Sequence, residues 1–220
     1  MIGEAENGAA IVLHSRNSRN GGKTVTLFSR EQGKLKLLLP RPVMVRCGMG
    51  LTAPFALIRY SASLYPDYGV LNQYEGNLLF DMMKLSYEDM ECWYFLIELA
   101  DALFPVGEED REVFSSLLET GKAGTRKNSL VVCFVGAVKL LSLAGFDPAV
   151  PEMASRFHLS REALELLTDF RNCHWEKPFG RSVPKAAFIE AAGYLDRFIQ
   201  DVCDISLKTR GTFVKAAGRY

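Results

Sequence analysis

The chain has 220 residues, 48% hydrophobic and 24% charged, a balance that suits a folded globular protein and excludes a disordered one. Lys+Arg and Asp+Glu each number 26, so the net charge is zero, but residues 1–60 hold nine cations against three acids and residues 61–120 two cations against thirteen. No apolar run approaches the roughly 20 residues that span a bilayer, and residues 1–10 carry two Glu and no apolar core, so the reading expects no membrane helix, no signal peptide and a cytoplasmic protein.

In chain order, Ala9–Ser15 opens with a buried-type apolar run and ends in the polar cluster Arg16-Asn17-Ser18-Arg19-Asn20-Gly21-Gly22, a turn signal. Lys23–Ser29 alternates with period two, which places Val25 and Leu27 inward and Thr24 and Thr26 outward. After the turn at Glu31-Gln32-Gly33, residues 33–39 put Leu35 and Leu37 on one face and Lys34 and Lys36 on the other. Pro40 and Pro42 stop that strand or confine its end to an edge. Two further strands are expected at Phe55–Tyr60 and Tyr68–Tyr74. Five short strands with Gly-rich turns fit a small closed barrel of the OB type, and an SH3-like barrel carries a similar signature.

From Gly76 onward the period changes to about 3.6. Tyr87–Phe104 is expected as a helix, with Ser86 and Asp89 close to a capping box. Further helices are expected at Glu108–Glu119, at the nearly all-apolar Ser129–Ala144, at Ser160–Arg171, at Pro184–Val202 and at Ser206–Lys215. The fold class expected is therefore α+β in two domains: an OB-type small β-barrel over residues 1–76, followed by an all-α helical domain over residues 77–220.

Positive strands beside an acidic body suggest a surface that meets phosphate, because counterion release rewards local charge. The candidate DNA-binding cations are Arg16, Arg19, Lys23, Arg30, Lys34, Lys36, Arg41 and Arg46. The same residues also suit a solvated strand face. Aromatic partners for base stacking are few: Phe28, Phe55 and Tyr60, each a residue type at home in a core.

Nothing in the sequence asks for catalysis. Phosphate-loop, dinucleotide, zinc-protease and nucleophile-elbow motifs are all missing. Cys173-His174 is the one adjacent cysteine–histidine pair, but neighbours on a helix point about 100° apart, so adjacency makes no dyad. The five cysteines lie about 30 to 45 residues apart without ligand or redox spacing, which reads as reduced thiols in the core. No catalytic residue, metal or cofactor is expected.

The order of these signals resembles the RecO family of bacterial recombination and repair mediators. The resemblance runs through Ala10–Arg16, Lys23–Leu35, Ala53–Tyr60, Tyr94–Asp101 with Phe104-Pro105, Leu140–Pro148 and the tail Leu207–Phe213. It implies an N-terminal OB fold and a C-terminal helical domain. It also implies binding of single- and double-stranded DNA, annealing of complementary strands, and cooperation with RecR in loading RecA onto strands coated by single-stranded-DNA-binding protein. That work would be done at the nucleoid. Contact between the helical domain and the coating protein's C-terminal tail is implied as well, with Arg126, Lys127, Lys139, Arg156 and Arg161 as the available cations. A partner-docking module with weak or no DNA binding is the alternative.

Two departures from the family pattern matter. Many members carry a four-cysteine zinc site after the element that ends at Pro148, whereas this chain offers only Cys173 and Cys203 there, so no zinc is expected. In place of the family's very basic loop, Leu39–Arg46 has two cations. Its contribution to DNA binding would then shift toward Arg16, Arg19 and Lys23.

Overall fold

The computed structural model describes residues 4–19, 21–66, 68–125, 128–177 and 183–219. Its strands are β1 (Glu4–Asn17), β2 (Lys23–Ser29), β3 (Gly33–Leu39), β4 (Ala56–Leu64) and β5 (Gly69–Leu78). Its α-helices are α1 (Arg41–Cys47), α2 (Tyr87–Leu103), α3 (Arg111–Ala123), α4 (Ser129–Leu143), α5 (Pro151–Arg156), α6 (Arg161–Arg171), α7 (Lys185–Asp201) and α8 (Thr212–Arg219). The chain forms two compact units, Met1–Met83 with Phe104–Thr125, and Lys84–Leu103 with Arg126–Tyr220. The fold class is α+β, a strand-built first unit and a helical second one. No helix among the described residues is long and apolar enough to cross a membrane.

In the first unit the strands close into a barrel in the order β1-β2-β3-β5-β4. β1 bonds antiparallel to both β2 and β4, and the last seam is a short parallel pairing of Leu37-Leu38 with Gly69-Val70. A simple up-and-down meander would have no parallel seam, so the order selects the OB-type arrangement over the SH3-like one. The period-two pattern of β2 and β3 turns Val25, Leu27, Leu35, Leu37 and Leu39 inward, where they meet Val12, Ile58, Tyr60, Leu71 and Tyr74. Met44 of α1 joins that core, so the helix between β3 and β4 plugs one barrel end. Pro40 and Pro42 open this helix: Pro40 is its cap residue and Pro42 lies in its first turn, where a missing N–H costs nothing.

The outer face of the barrel is also covered in part. Register aligns Leu57, Ile11, Phe28 and Lys34 across four strands in one outward row. Phe104 meets Phe28 edge to face at 5.7 Å. Val106 and Gly107 lie along the start of β3, where the Gly107 N–H donates to the Lys34 carbonyl at 2.9 Å. α3 then begins at Asp110, whose side chain accepts from the N–H groups of Glu112 and Val113. Helix α3, read from the sequence as part of the helical domain, therefore belongs to the compact unit that contains the barrel.

The second unit is built round α4, most of whose residues are buried. Phe134 contacts Phe170, Phe188 and Phe213 with ring centres 4.8–5.5 Å apart, joining α4 to α6, α7 and α8. The Ser86 hydroxyl accepts from the Asp89 N–H at 3.1 Å, the first half of a capping box, and donates to the Asp89 carboxylate at 2.9 Å. The loop before α8 is tied down by carboxylates. Glu98 accepts from Lys208 N–H (2.9 Å), Thr209 N–H (3.0 Å) and the Thr209 hydroxyl (2.7 Å), while Asp196 accepts from Gly211 N–H (3.0 Å).

Burial alone would raise the Glu98 pKa, but the Thr209 hydroxyl, the two N–H groups and Lys208 outweigh it and hold the carboxyl below its ordinary value. Asp196 is shifted upward by burial, against the pull of Gly211, Arg210 and Lys215. A lowered carboxyl stabilises the fold above its unfolded pKa, and that stability is lost as pH falls through the folded value. Asp196 works in the opposite sense, favouring the fold as it protonates. Glu98→Ala should lower the melting temperature by about 4 °C at pH 7. The gap between parent and variant should narrow as pH falls through the carboxylate range, and a gap that stays constant from pH 7 to pH 3 would refute the assignment.

Candidate nucleic-acid interface

The eight candidate cations occupy different places. Arg16 pairs across the ladder with Thr24, and Thr24 with Leu38, which sets those three side by side on the outer face. The next row holds His14, Thr26 and Lys36. Arg16, Lys36 and Leu38 are all exposed. The β1–β2 turn is closed by Ser18 N–H to Gly22 O (2.9 Å) and Gly21 N–H to Ser18 O (3.2 Å), and it carries the exposed Arg19. Gly21 sits at φ +74, and a Cβ there would come 3.8 Å from the Arg41 side chain at the start of α1, which places Arg41 near this turn. Arg16, Arg19, Lys36 and Arg41 thus share the outer face of β1–β3 and its adjoining turn.

The other four do not. Lys23 reaches across the barrel mouth, its Nζ 2.9 Å from Thr52 Oγ1 and 3.5 Å from Ser15 Oγ. Lys34 lies on the same outward side as Lys36 but is only 7% exposed, in the row flanked by the Phe104–Gly107 segment. Arg46, in the last turn of α1, donates to the Asn72 carbonyl of β5 at 3.0 Å. Arg30 is in the β2–β3 turn, at the opposite end of β2 from Lys23, beside Glu31, whose carboxylate accepts from Ala9 N–H at 3.1 Å.

The aromatic candidates from the sequence are all core residues: Phe28 is 1%, Phe55 0% and Tyr60 4% exposed. Stacking groups sit elsewhere, in the β4–β5 turn. There Tyr65 and Tyr68 stack at 4.6 Å and 16°, the turn closes by Tyr65 N–H to Tyr68 O (2.8 Å), and Tyr68 is 51% exposed. Gly69 pairs with Leu37 in the parallel seam, and both face inward, so Tyr68 comes beside Lys36 on the outer side. The signal for this pair was present in Tyr65-Pro66-Asp67-Tyr68-Gly69, a turn sequence with an aromatic at each flank.

Chemically the face offers separated guanidinium and ammonium heads, an exposed aromatic and the apolar Leu38. No Asp or Glu occurs between Glu31 and Asp67 in the sequence. Such a surface holds phosphates and stacks bases without reading base edges.

The cations considered for a partner tail lie on three helices. Lys139 is half-buried on α4, Arg156 is exposed on α5, and Arg161 on α6 pairs with Glu165 at 2.9 Å. Arg126 and Lys127 lie outside the described residues. A cavity of about 390 Å³ is lined by Arg161 and Thr168 together with the carboxylates of Glu165 and Asp169, an unfavourable lining for an acidic tail.

Burial pushes the Cys92 thiol up to about 12 and the fully buried Cys133 thiol well above its ordinary value, so both stay protonated and act as apolar packing. Cys173 is buried and His174 exposed. Among the described residues no group of three or more His, Cys, Asp or Glu gathers at metal-binding distance.

No protein-family model matches the chain. Two curated proteins are similar to it. The DNA repair protein RecO of Pelotomaculum thermopropionicum is 27% identical over 144 residues, 64% of this chain and 56% of that protein. The DNA repair protein RecO of Desulforudis audaxviator is 26% identical over 149 residues, 66% and 59% respectively. The matched part thus spans little more than half the length of these curated relatives. These two matches support the resemblance to the RecO family that the order of its motifs carries.

Proposed function

We propose that this chain is a non-enzymatic DNA-binding mediator of repair and recombination, working in the cytoplasm at the nucleoid. It holds single- and double-stranded DNA on the outer face of β1–β3 and brings complementary strands together. With RecR it helps load RecA onto strands coated by single-stranded-DNA-binding protein, whose C-terminal tail is met by the helical unit. The observation that carries the DNA-binding step is the gathering of Arg16, Arg19, Lys36 and Arg41 on a face that also exposes Tyr68. Two similar proteins bear the name DNA repair protein RecO, which supports the repair role. Placing two strands on one positive surface lowers their repulsion and raises their effective concentration, enough to speed annealing without a nucleotide cofactor.

Four phosphate contacts on a single strand give a slope of roughly −2.8 in log affinity against log salt, or about a 50-fold loss between 50 and 200 mM. Fluorescence anisotropy of a labelled oligonucleotide at the two salt concentrations measures this directly. A flat profile refutes the reading.

A second reading, a module that docks protein partners, is favoured by one observation. Val45 is 68% and Met49 59% exposed, on α1 and the turn after it, where a phosphate-binding face has no use for them. Absence of DNA binding at 50 mM salt would select it.

A further inference from the structure

The helical unit carries a charged cluster that the barrel face does not explain. Arg156, in the last turn of α5, places its guanidinium carbon 5.5 Å from the centre of the Phe157 ring, and Arg197 of α7 places its own 6.0 Å from the same ring. Tyr194 meets the Phe157 ring edge to face at 5.4 Å, and the buried Tyr194 hydroxyl donates to the Pro148 carbonyl at 2.9 Å. The ring is therefore held from behind. Its chain position is fixed by hydrogen bonds of Phe157 N–H to Met153 O and Leu159 N–H to Ala154 O. Both arginines are exposed. Arg197 donates through Nε to Gly193 O at 3.3 Å, which orients its planar head. Among the described residues neither guanidinium forms an ion pair with a carboxylate.

Two guanidiniums held on one aromatic ring keep most of their N–H donors directed outward. Such heads are weakly hydrated and present donor forks matched to phosphate oxygens. Stacking on the ring reduces the side-chain freedom lost when an anion binds.

We infer that Arg156, Phe157 and Arg197 form a second phosphate-binding site, for the backbone of a nucleic-acid strand, separate in the chain from the barrel face. The inference rests on the DNA-binding reading given above and assigns the helical unit its own strand contact. Two exposed guanidinium forks with no carboxylate partner among the described residues suit the paired oxygens of a phosphate backbone, and a strand is the anion that the proposed function already brings to this chain.

The test uses the full chain and two non-complementary oligonucleotides, one on beads and one fluorescent, so that annealing cannot join them. The parent should carry the fluorescent strand onto the beads. Arg156→Ala with Arg197→Ala should reduce that capture at least tenfold, while one-strand affinity by anisotropy at 50 mM salt stays within about threefold and the melting temperature is unchanged. Arg156→Lys with Arg197→Lys keeps the charge but loses the fork and should fall between the two. Capture by the double Ala variant equal to the parent's, or one-strand binding by the parent without capture, overturns this inference and leaves the barrel reading intact. No one-strand binding by the parent overturns the barrel reading itself. If the double Ala variant instead loses binding of a labelled Asp/Glu-rich peptide while strand capture persists, the pair serves carboxylates and the inference is wrong.

Discussion

Reversing charge at Arg16, Lys36 and Arg41 together is expected to lower affinity for single-stranded DNA by at least roughly 10³-fold at 50 mM salt, since three hydrogen bonds to charged groups are lost at about 1.5–3 kcal/mol each. The salt slope should shrink to about −0.7, the share of the single contact left at Arg19. All three side chains are exposed, and none is packed into the barrel core. Circular dichroism and the melting temperature should therefore stay near the parent's, which separates lost binding from lost folding. Tyr68→Ala belongs in the same experiment: removing a stacking platform should cost about 1–3 kcal/mol and leave the salt slope unchanged. Reversal at Lys34 makes a poor probe. At 7% exposure, beside the bridge to Val106, a carboxylate there would disturb the fold before it told anything about DNA. Full binding by the triple variant would refute the assigned face.

Lys34 also shows what a local pattern can and cannot carry. Period-two alternation puts Lys34 and Lys36 on one side of β3, and both do point outward. Burial differs between them because the segment Phe104–Gly107 lies along the start of the strand, some seventy residues later in the chain. No window of sequence holds that information. β2 and β3 run over the residues that the alternation marks. β1 extends back to Glu4 and carries a bulge between Val12 and His14, which an apolar run does not signal.

The helices α1 and α5 were missed for one reason. Each is short, and each opens with proline, which at Pro40 and Pro42 reads as a strand stop. For α3 the helix itself was legible, though it starts at Arg111 and not at Glu108, because Asp110 caps it. What it packs on was not legible. Helical periodicity identifies an apolar face without naming its partner, and α3 meets the barrel unit through Gly121, whose missing side chain admits Leu79 and Phe55. At the candidate interface the charges were legible and the stacking group was not. An aromatic in a strand is read as core, and Phe28, Phe55 and Tyr60 are core. Tyr65 and Tyr68 escape that reading because a hairpin turn holds them out of the barrel.

Two glycines with positive φ separate the cost of backbone strain from the cost of close docking. Gly33, at φ +63, begins β3, and a Cβ there would overlap the carbonyl of Glu108. Gly107, at φ +84, stands in the segment that docks along β3, yet a Cβ at Gly107 would meet nothing within 4 Å. Gly107→Ala should therefore cost only the left-handed backbone term, about 1–2 kcal/mol. Gly33→Ala carries that term and must also push backbone away from backbone. Neither side can relax by rotating a side chain, so more than about 3 kcal/mol is expected, a fall of roughly 6–12 °C in melting temperature. The displaced residues are those that flank Lys34 and lead into the Asp110 cap of α3. Hydrogen exchange in Gly33→Ala should accordingly rise first at Gly107 N–H and along the first turn of α3, with the seam between β4 and β1 still protected. Equal melting temperatures for the two alanine variants would mean that Glu108 does not lie against Gly33, and the covering of the β3 edge would fall with it.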